Sequence, residues 1–576
     1  MKVYKLFVAV TFVGMTAAHG GETQGSTPKV SPPVTESKFT NASTDALMSR
    51  RIEGILQAYL APLLNDDVAT IVNIEKITPD QIKDISELAT TANEKQIFDT
   101  LAQKADAGTL ARDIGDVVDK IIADLSNNPK FKDQIAGLTP EKKQYVIATV
   151  SSSIVTALRV RGLTRDSQKT QFVEWVELGR RMGQNIDTAV ANKLSFLDQV
   201  RQFTKAQVVS ADDIEVLVNG EASFAKRDEL MKNKNTPIDV MSWAIYDDQT
   251  GHEAVDFLLA KHAAGTPVRV MIDGQVSRQA GYGNEVARLE AAGVPVIRWI
   301  NPEHLEQGQH RKMIIVDNEH VIAGGLNFGD VYSHKNPKTP QWRDTDIYLR
   351  GKNVARQASN FFAALWNEQI RTRGLELMQA EVKPLAPATG REVYIINSDP
   401  SVNISGSTIM LTILAAIRSA TSSIAIENAY VVTFPKLKDE LAAAVKRGVQ
   451  VRVLTNSSTS VDEPIVSLPI LRTMKDLAGR GVEAYLKIGD TLHSKFLVID
   501  EKFSMVMSYN LHPRSERIEG EMAIASFDKK LAQDLTATFA DDISAAKATK
   551  VNNASEIVLP PAGSTMIVLR LFFDPL

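Results

Sequence analysis

From about residue 45 to 205 apolar side chains recur at helical spacing. Ile52, Ile55, Leu56, Tyr59 and Leu60 fall three and four apart, on one face of a helix. Thr78 with Gln81 around Pro79, and Thr139 before Pro140, are helix-start signals. An all-helical domain is therefore expected over 46–205, with no recognisable chemistry on it. Near 206 the period changes. Short β-branched runs such as "GTPVRVMID" (265–273) and "RGVQVRVLTN" (447–456) alternate with helical stretches, the texture of an α/β fold. "KMIIVD" (312–317) and "KFLVID" (495–500) carry unbroken apolar stretches, as strands buried on both faces do.

This second texture is duplicated. "LEAAGVPVIRW" (289–299) is followed by "HRKMIIVD" (310–317), and "LAGRGVEAYLK" (477–487) is followed by "HSKFLVID" (493–500). Arg269 and Arg452, His310 and His493, Lys312 and Lys495, Asp317 and Asp500, and Asn327 and Asn510 are each 183 residues apart. At ordinary composition a histidine followed by this pattern of Lys, apolar residues and Asp arises with a chance of about one in ten thousand. Two copies among nine histidines reject accident. One supersecondary plan is used twice.

The N-terminus adds a separate expectation. Lys2 and Lys5 precede an apolar run from Leu6 to Ala18 that ends in small residues, the pattern of an export signal over 1–20. Residues 21–45, rich in Gly, Pro, Ser and Thr, read as a flexible linker. The expected location is periplasmic or secreted. Cysteine is absent, which excludes disulfides, thiolate nucleophiles and Cys-ligated zinc. Lys plus Arg number 65 against 69 Asp plus Glu, so no global basic field argues for nucleic acid.

Strand periodicity places the repeated polar residues. Side chains two apart share a face, so His310 and Lys312 point one way, as do His493 and Lys495. Asp317 and Asp500, five positions after the lysines, have the opposite parity and are expected to hold the strand ends. Two imidazoles can serve as nucleophile and as general acid and base. Lysine ammoniums and asparagine amides are donors suited to an anion with several oxygens. Together these residues suit attack at a phosphodiester. There is no glycine-rich phosphate loop, no HExxH helix and no compact carboxylate cluster, so neither a cofactor nor a metal is expected. His304 with Glu303 and Glu306 has no counterpart in the second repeat. The remaining histidines, His252, His262, His320, His334 and His512, read as surface or loop residues. Tyr246, Glu427, Tyr430 and Tyr509 are candidates for the border of the pocket.

At these residues the chain resembles the phospholipase D superfamily, whose hallmark is a paired HxKxxxxD motif. The likeness covers about residues 206–576. "GGLNFGD" (324–330) and "MSYNLHPRS" (507–515) resemble the family's continuation after each motif, while "WAIYDDQTG" (243–251), "WRDTDIYLRG" (342–351) and "GEMAI" (520–524) resemble the bacterial branch that contains cardiolipin synthases. The chain departs from that branch at His512, where Asp is usual, and at Glu519, where Asn is usual. The resemblance implies two pseudo-twofold-related lobes, 206–375 and 376–576, each a mixed sheet flanked by helices, behind the helical domain. It implies a phosphohistidine intermediate with His310 as nucleophile and His493 as acid and base. Lys312, Lys495, Asn327 and Asn510 would hold the phosphoryl oxygens, and Asp344 and Glu521 would orient the imidazoles.

The activity expected first is hydrolysis of a phospholipid headgroup phosphodiester to phosphatidic acid at a membrane or micelle surface, with water or an alcohol as acceptor. The alternatives are a cardiolipin synthase, a nuclease of the same superfamily, and a binding protein in which the repeat is an inert scaffold. Both motifs lie in one chain, so a monomer suffices for the site.

Overall fold

The structure, a computed structural model, describes residues 165–557 apart from 233–235, 279–280, 303–306, 400–405, 433–434 and 463–465. The expected export signal, the linker, most of the helical domain and the His304 group lie outside the described residues. Nearly all described residues belong to one compact unit, 178–462 with 469–557.

That unit is built on two mixed sheets. The first contains β2 (Asp213–Val218), β3 (Ile238–Ser242), β4 (Val268–Asp273), β5 (Val296–Trp299), β7 (Met313–Val316), β8 (His320–Gly324) and β9 (Thr345–Arg350), in the order β2-β9-β8-β7-β3-β4-β5. The second contains β10 (Arg391–Ser398), β11 (Ser423–Asn428), β12 (Gln450–Asn456), β13 (Glu483–Lys487), β14 (Lys495–Ile499), β15 (Phe503–Met507) and β16 (Glu519–Ser526). Its order, β10-β16-β15-β14-β11-β12-β13, repeats the first strand for strand. In each, three parallel strands (β3-β4-β5; β11-β12-β13) continue into antiparallel ones. The second sheet is widened by β17 (Ala548–Val551) at one edge and by β1 (Val208–Ala211) at the other.

The edge strand β1 corrects one expectation. By position it was assigned to the first lobe, but it pairs antiparallel with β10, Val209 opposite Val393, and so covers an edge of the second sheet that would otherwise offer unpaired backbone groups. A further crossing comes from β6 (Gly308–Gln309), which runs parallel to the start of β16.

Alternation along the strands explains the unbroken apolar runs. On β7, Met313 and Ile315 enter a core shared with Phe496, Val498, Val506 and Met522 of the second sheet. Ile314 and Val316 enter another, with Val240, Val270 and Val255. Val255 lies on α1 (Gln249–Ala263). Between the sheets in sequence runs α2 (Lys352–Arg373), whose Phe362 and Trp366 sit in the shared core. Among the described residues no helix is long and apolar enough to cross a membrane.

The motif aspartates end the strands. The turn after β7 has φ 61° at Asp317 and 52° at Asn318, and the turn after β14 has 54° at Asp500 and 52° at Glu501. Each is closed by a backbone bond, Glu319 N–H to Val316 O (3.2 Å) and Lys502 N–H to Ile499 O (2.9 Å). Two consecutive left-handed residues characterise hairpin turns whose twist matches the strands, and Asp tolerates that conformation better than most residues.

Candidate active site

Each motif histidine sits just before its strand and is fixed by the other lobe. The His310 N–H donates to Gly520 O (2.9 Å), and the His493 N–H donates to Arg343 O (2.7 Å). Side chains cross in the same way. Glu521 of β16 places its two oxygens 3.0 and 3.1 Å from His310 Nδ1, while Asp344, just ahead of β9, places Oδ2 2.6 Å from His493 Nδ1. A carboxylate at Nδ1 holds the proton there and leaves Nε2 bare, the form required of a nucleophile or base. Glycines make room for this exchange. A side chain at Gly325 would collide with the Asp344 carboxylate, and one at Gly520 with the Arg311 guanidinium.

Each motif lysine turns back onto its own histidine. Lys312 Nζ donates to His310 O (2.6 Å), and Lys495 Nζ donates to His493 O and lies 2.9 Å from His493 Nδ1. All four side chains are buried. Burial pushes Lys312 from 10.5 down to about 7, with Glu521 opposing and Lys495 adding to the fall. It pushes Lys495 down to about 8 against the pull of Asp344. Burial likewise holds both histidines well below 6.5, and the nearby ammoniums push the same way. Asp344 is raised to about 6 by burial, opposed by Lys495 and the Thr345 N–H. Such displaced values are what a site built to receive an anion shows before the anion arrives.

The two halves are not equivalent. His310 faces a second carboxylate, Glu519, whose Oε2 lies 4.0 Å from Nδ1, whereas His493 has Lys495 beside it. Glu519 is held by Arg514 Nε (2.5 Å) and by Ser515 Oγ (3.4 Å). Ser515 Oγ also donates to Glu521 Oε1 (2.5 Å), and Ser508 Oγ donates to Glu521 Oε2. His310, Glu519 and Glu521 are the one group of described residues whose ligand atoms converge as a metal site would need, all within 4.8 Å. The carboxylate oxygens concerned already receive the Arg514, Ser508 and Ser515 donors.

The asparagines differ as well. Asn327 Oδ1 accepts from Ser242 Oγ and Ala244 N (both 3.3 Å), and its Nδ2 donates to Tyr332 OH (3.1 Å). Asn510 N–H donates to Ser515 Oγ (3.2 Å), and its buried Oδ1 has no partner among the described residues. Aromatic rings of the first lobe line the approach. Trp243 stands 5.8 Å from the His310 ring, and Tyr332 and Trp342 stand 5.2 and 5.4 Å from His493.

Of the ten residues singled out in the sequence, eight lie in this cluster: His310, His493, Lys312, Lys495, Asn327, Asn510, Asp344 and Glu521. Asp317 and Asp500 do not join them; both sit in the turns at the far ends of their strands. The Asp500 carboxylate accepts from the N–H and hydroxyl of Thr421 and of Ser422 and from Ser423 N–H, at 2.7 to 2.9 Å. Burial would raise its pKa, but these donors hold it far below the ordinary carboxylate range.

Several other expectations need correction. His512 is no loop residue: it is buried and caps α3 (Pro513–Arg517), its Nδ1 accepting from Ser515 N–H (3.1 Å). His320 is buried on β8 with Nδ1 2.8 Å from Tyr348 OH, and His334 bonds Glu221 and Trp342 O. Tyr509 is packed away, its hydroxyl on Glu516 Oε2 (2.5 Å). Glu427, pushed up to about 8 by burial, pairs with Arg343 at 3.2 Å instead of bordering the pocket. The sequence reading missed Ser508, Ser515, Trp243 and Tyr332. "MSYNLHPRS" held a signal for the serines, since both flank the motif asparagine.

Known proteins agree with this architecture. The family model described as "Cardiolipin synthase, PLD-like domain" matches residues 228–366 and 413–543, one segment in each lobe. Cardiolipin synthase A of Pseudomonas fluorescens (strain SBW25) is 28% identical over 341 residues, 58% of this chain and 69% of that protein. The major cardiolipin synthase of Bacillus subtilis (strain 168) is 27% identical over 338 residues, again 58% and 69%. Among solved structures, phosphatidylserine synthase of Haemophilus influenzae Rd KW20 superimposes with a TM-score of 0.51 at 13% identity, covering 63% of this chain and 93% of that one. With the strand order duplicated, the paired motifs facing each other and both halves matched by the family model, the chain belongs to the phospholipase D superfamily.

Proposed function

We propose that this protein transfers a phosphatidyl group from one alcohol to another, the reaction class of a cardiolipin synthase. The observation that carries the chemistry is the reciprocal exchange of carboxylates between lobes, which holds Nδ1 of both buried imidazoles beside the two motif lysines and leaves each Nε2 for the phosphoryl group. The names of the relatives favour a lipid alcohol as acceptor, and so rank transfer above the hydrolysis expected first from the sequence.

In the first step His493 starts as an imidazolium, having taken a solvent proton on Nε2 as the phosphodiester anion binds beside it; His310 Nε2 attacks phosphorus, the P–O bond to the leaving alcohol breaks, and His493 gives that proton to the departing oxygen. In the second His493 takes the proton of the incoming hydroxyl as its oxygen attacks phosphorus, and the P–N bond breaks to restore His310. The asymmetry supports this assignment. A phosphohistidine ring carries positive charge: His310 meets it with two carboxylates, Glu521 and Glu519, whereas His493 has Asp344 alone and Lys495 2.9 Å from its Nδ1. Lys312 and Lys495 act as point charges on the phosphoryl oxygens.

The test is product analysis. Purified protein incubated with phosphatidylglycerol vesicles is expected to give cardiolipin and glycerol in equal amounts by mass spectrometry. Phosphatidic acid as the sole lipid product would return the reading to hydrolysis, and nucleotide release from single-stranded DNA without action on lipid would remove it altogether.

A further inference from the structure

His310 and His493 each give Nδ1 to a carboxylate, so each presents a bare Nε2. His512 is held the other way round. Its Nδ1 accepts the Ser515 N–H, so the proton of the neutral ring must sit on Nε2. Burial lowers its pKa from 6.5, which keeps the ring neutral. The ring is further fixed by stacking on Tyr430 (5.8 Å between centroids, 23° between planes), whose hydroxyl donates to Asp462 (2.6 Å). Among the described residues nothing accepts from His512 Nε2. The site therefore contains two imidazole bases and one imidazole that can only donate.

Two residues earlier lies the complementary defect. Asn510 Oδ1 is a buried acceptor with no donor, in a side chain only 3% exposed. The turn that joins the two residues is closed by the His512 N–H on Asn510 O (2.8 Å). The first lobe has no such vacancy, because both ends of the Asn327 amide are bonded. A buried acceptor without a donor is costly, and a site that leaves one open recovers that cost when a ligand supplies the hydrogen. One group answers both residues at once: a hydroxyl, which donates through its hydrogen and accepts through its oxygen.

We infer that Asn510 and His512 form a subsite for a hydroxyl of the substrate's alcohol portion that does not itself react, so that the enzyme selects a polyol headgroup such as glycerol over a simple alcohol. The Asn510 Oδ1 accepts from this hydroxyl and His512 Nε2–H donates to it, while Asn510 Nδ2 is left for the phosphoryl group. The choice of alcohol rests on the phosphatidyl-transfer reading; the discrimination itself does not depend on which acceptor follows.

The experiment compares consumption of phosphatidylglycerol with that of phosphatidyl-1-propanol, which lacks the headgroup hydroxyls, in the wild type and in His512→Asp. Aspartate keeps a helix-capping acceptor and removes the donor. The wild type is expected to favour phosphatidylglycerol in kcat/KM by at least about tenfold, since sites built to bond a hydroxyl reject analogues without it. The variant is expected to lose most of that ratio. His512→Thr, which also caps, serves where His512→Asp does not fold. A wild type that treats both lipids alike, or a folded variant with an unchanged ratio, would overturn the subsite. Product identity, followed in parallel, judges transfer against hydrolysis separately.

Discussion

Replacing Lys312 with Met is expected to stabilise the protein while nearly abolishing its activity. The ammonium is buried and its pKa is driven from 10.5 to about 7. At about 1.4 kcal/mol for each pH unit, holding it charged near neutrality costs the empty site roughly 4 to 5 kcal/mol relative to the unfolded chain. Methionine fills the same space without charge. It forfeits the bond from Nζ to His310 O, about 1 to 2 kcal/mol. The net gain expected in urea unfolding at pH 7 is therefore about 2 to 4 kcal/mol. The folded pKa lies below the unfolded one, so the penalty is complete below about 7, shrinks as pH rises, and is gone above 10.5. Unfolding of the variant and the wild type is thus compared at pH 7 and pH 10.5. Loss of one charge facing the developing phosphorane is expected to lower kcat by about 100-fold or more. A variant less stable than the wild type at pH 7, or a stability difference the same at both pH values, would refute the reasoning.

Other outcomes follow from the same geometry. Asp344→Asn and Glu521→Gln each replace an imidazole's carboxylate by an amide that does not fix the tautomer, and kcat is expected to fall by about 10² to 10⁴ with little change in KM. In the pH profile of kcat/KM, which reports the free enzyme, activity is expected to decline as pH rises through the region from about 7 to 8, where Lys312 and Lys495 lose their charge. Asp500→Ala removes the acceptor of five hydrogen bonds and is expected to cost about 1 to 3 kcal/mol in chemical unfolding, with the active-site cluster intact. Because that carboxylate's pKa is lowered on folding, its contribution is complete above about 4 and fades as pH falls further, a dependence the variant should lack.

What could be read from the chain was what is local or repeated. Strand parity separated His310 and Lys312 from Asp317, because alternation is a property of a few consecutive residues. The interval of 183 residues identified the equivalent positions in two lobes before any contact was known. The resemblance, not the spacing, supplied Asp344 and Glu521 as partners of the imidazoles. Their crossing between lobes is a tertiary fact with no periodic trace: Glu521 lies on a strand of the second sheet yet serves the histidine of the first. The same limit applies to β1, whose four residues carry no mark of which sheet edge they will cover. Histidine was misjudged for a different reason. His512 and His320 sit between residues of mixed polarity, as a surface histidine would, and only the cap on Ser515 and the bond to Tyr348 reveal them as buried.

The central claim, that His310 carries the phosphatidyl group between two alcohols, is tested most directly by trapping it. His493→Asn mixed with phosphatidyl-p-nitrophenol, whose leaving group needs no proton, then quenched rapidly and examined by intact-protein mass spectrometry and peptide mapping, should retain a phosphatidyl adduct on His310, since attack survives without the acid while the base that releases the adduct is gone. An adduct on any other residue, or turnover with no covalent species at any time, would contradict the claim.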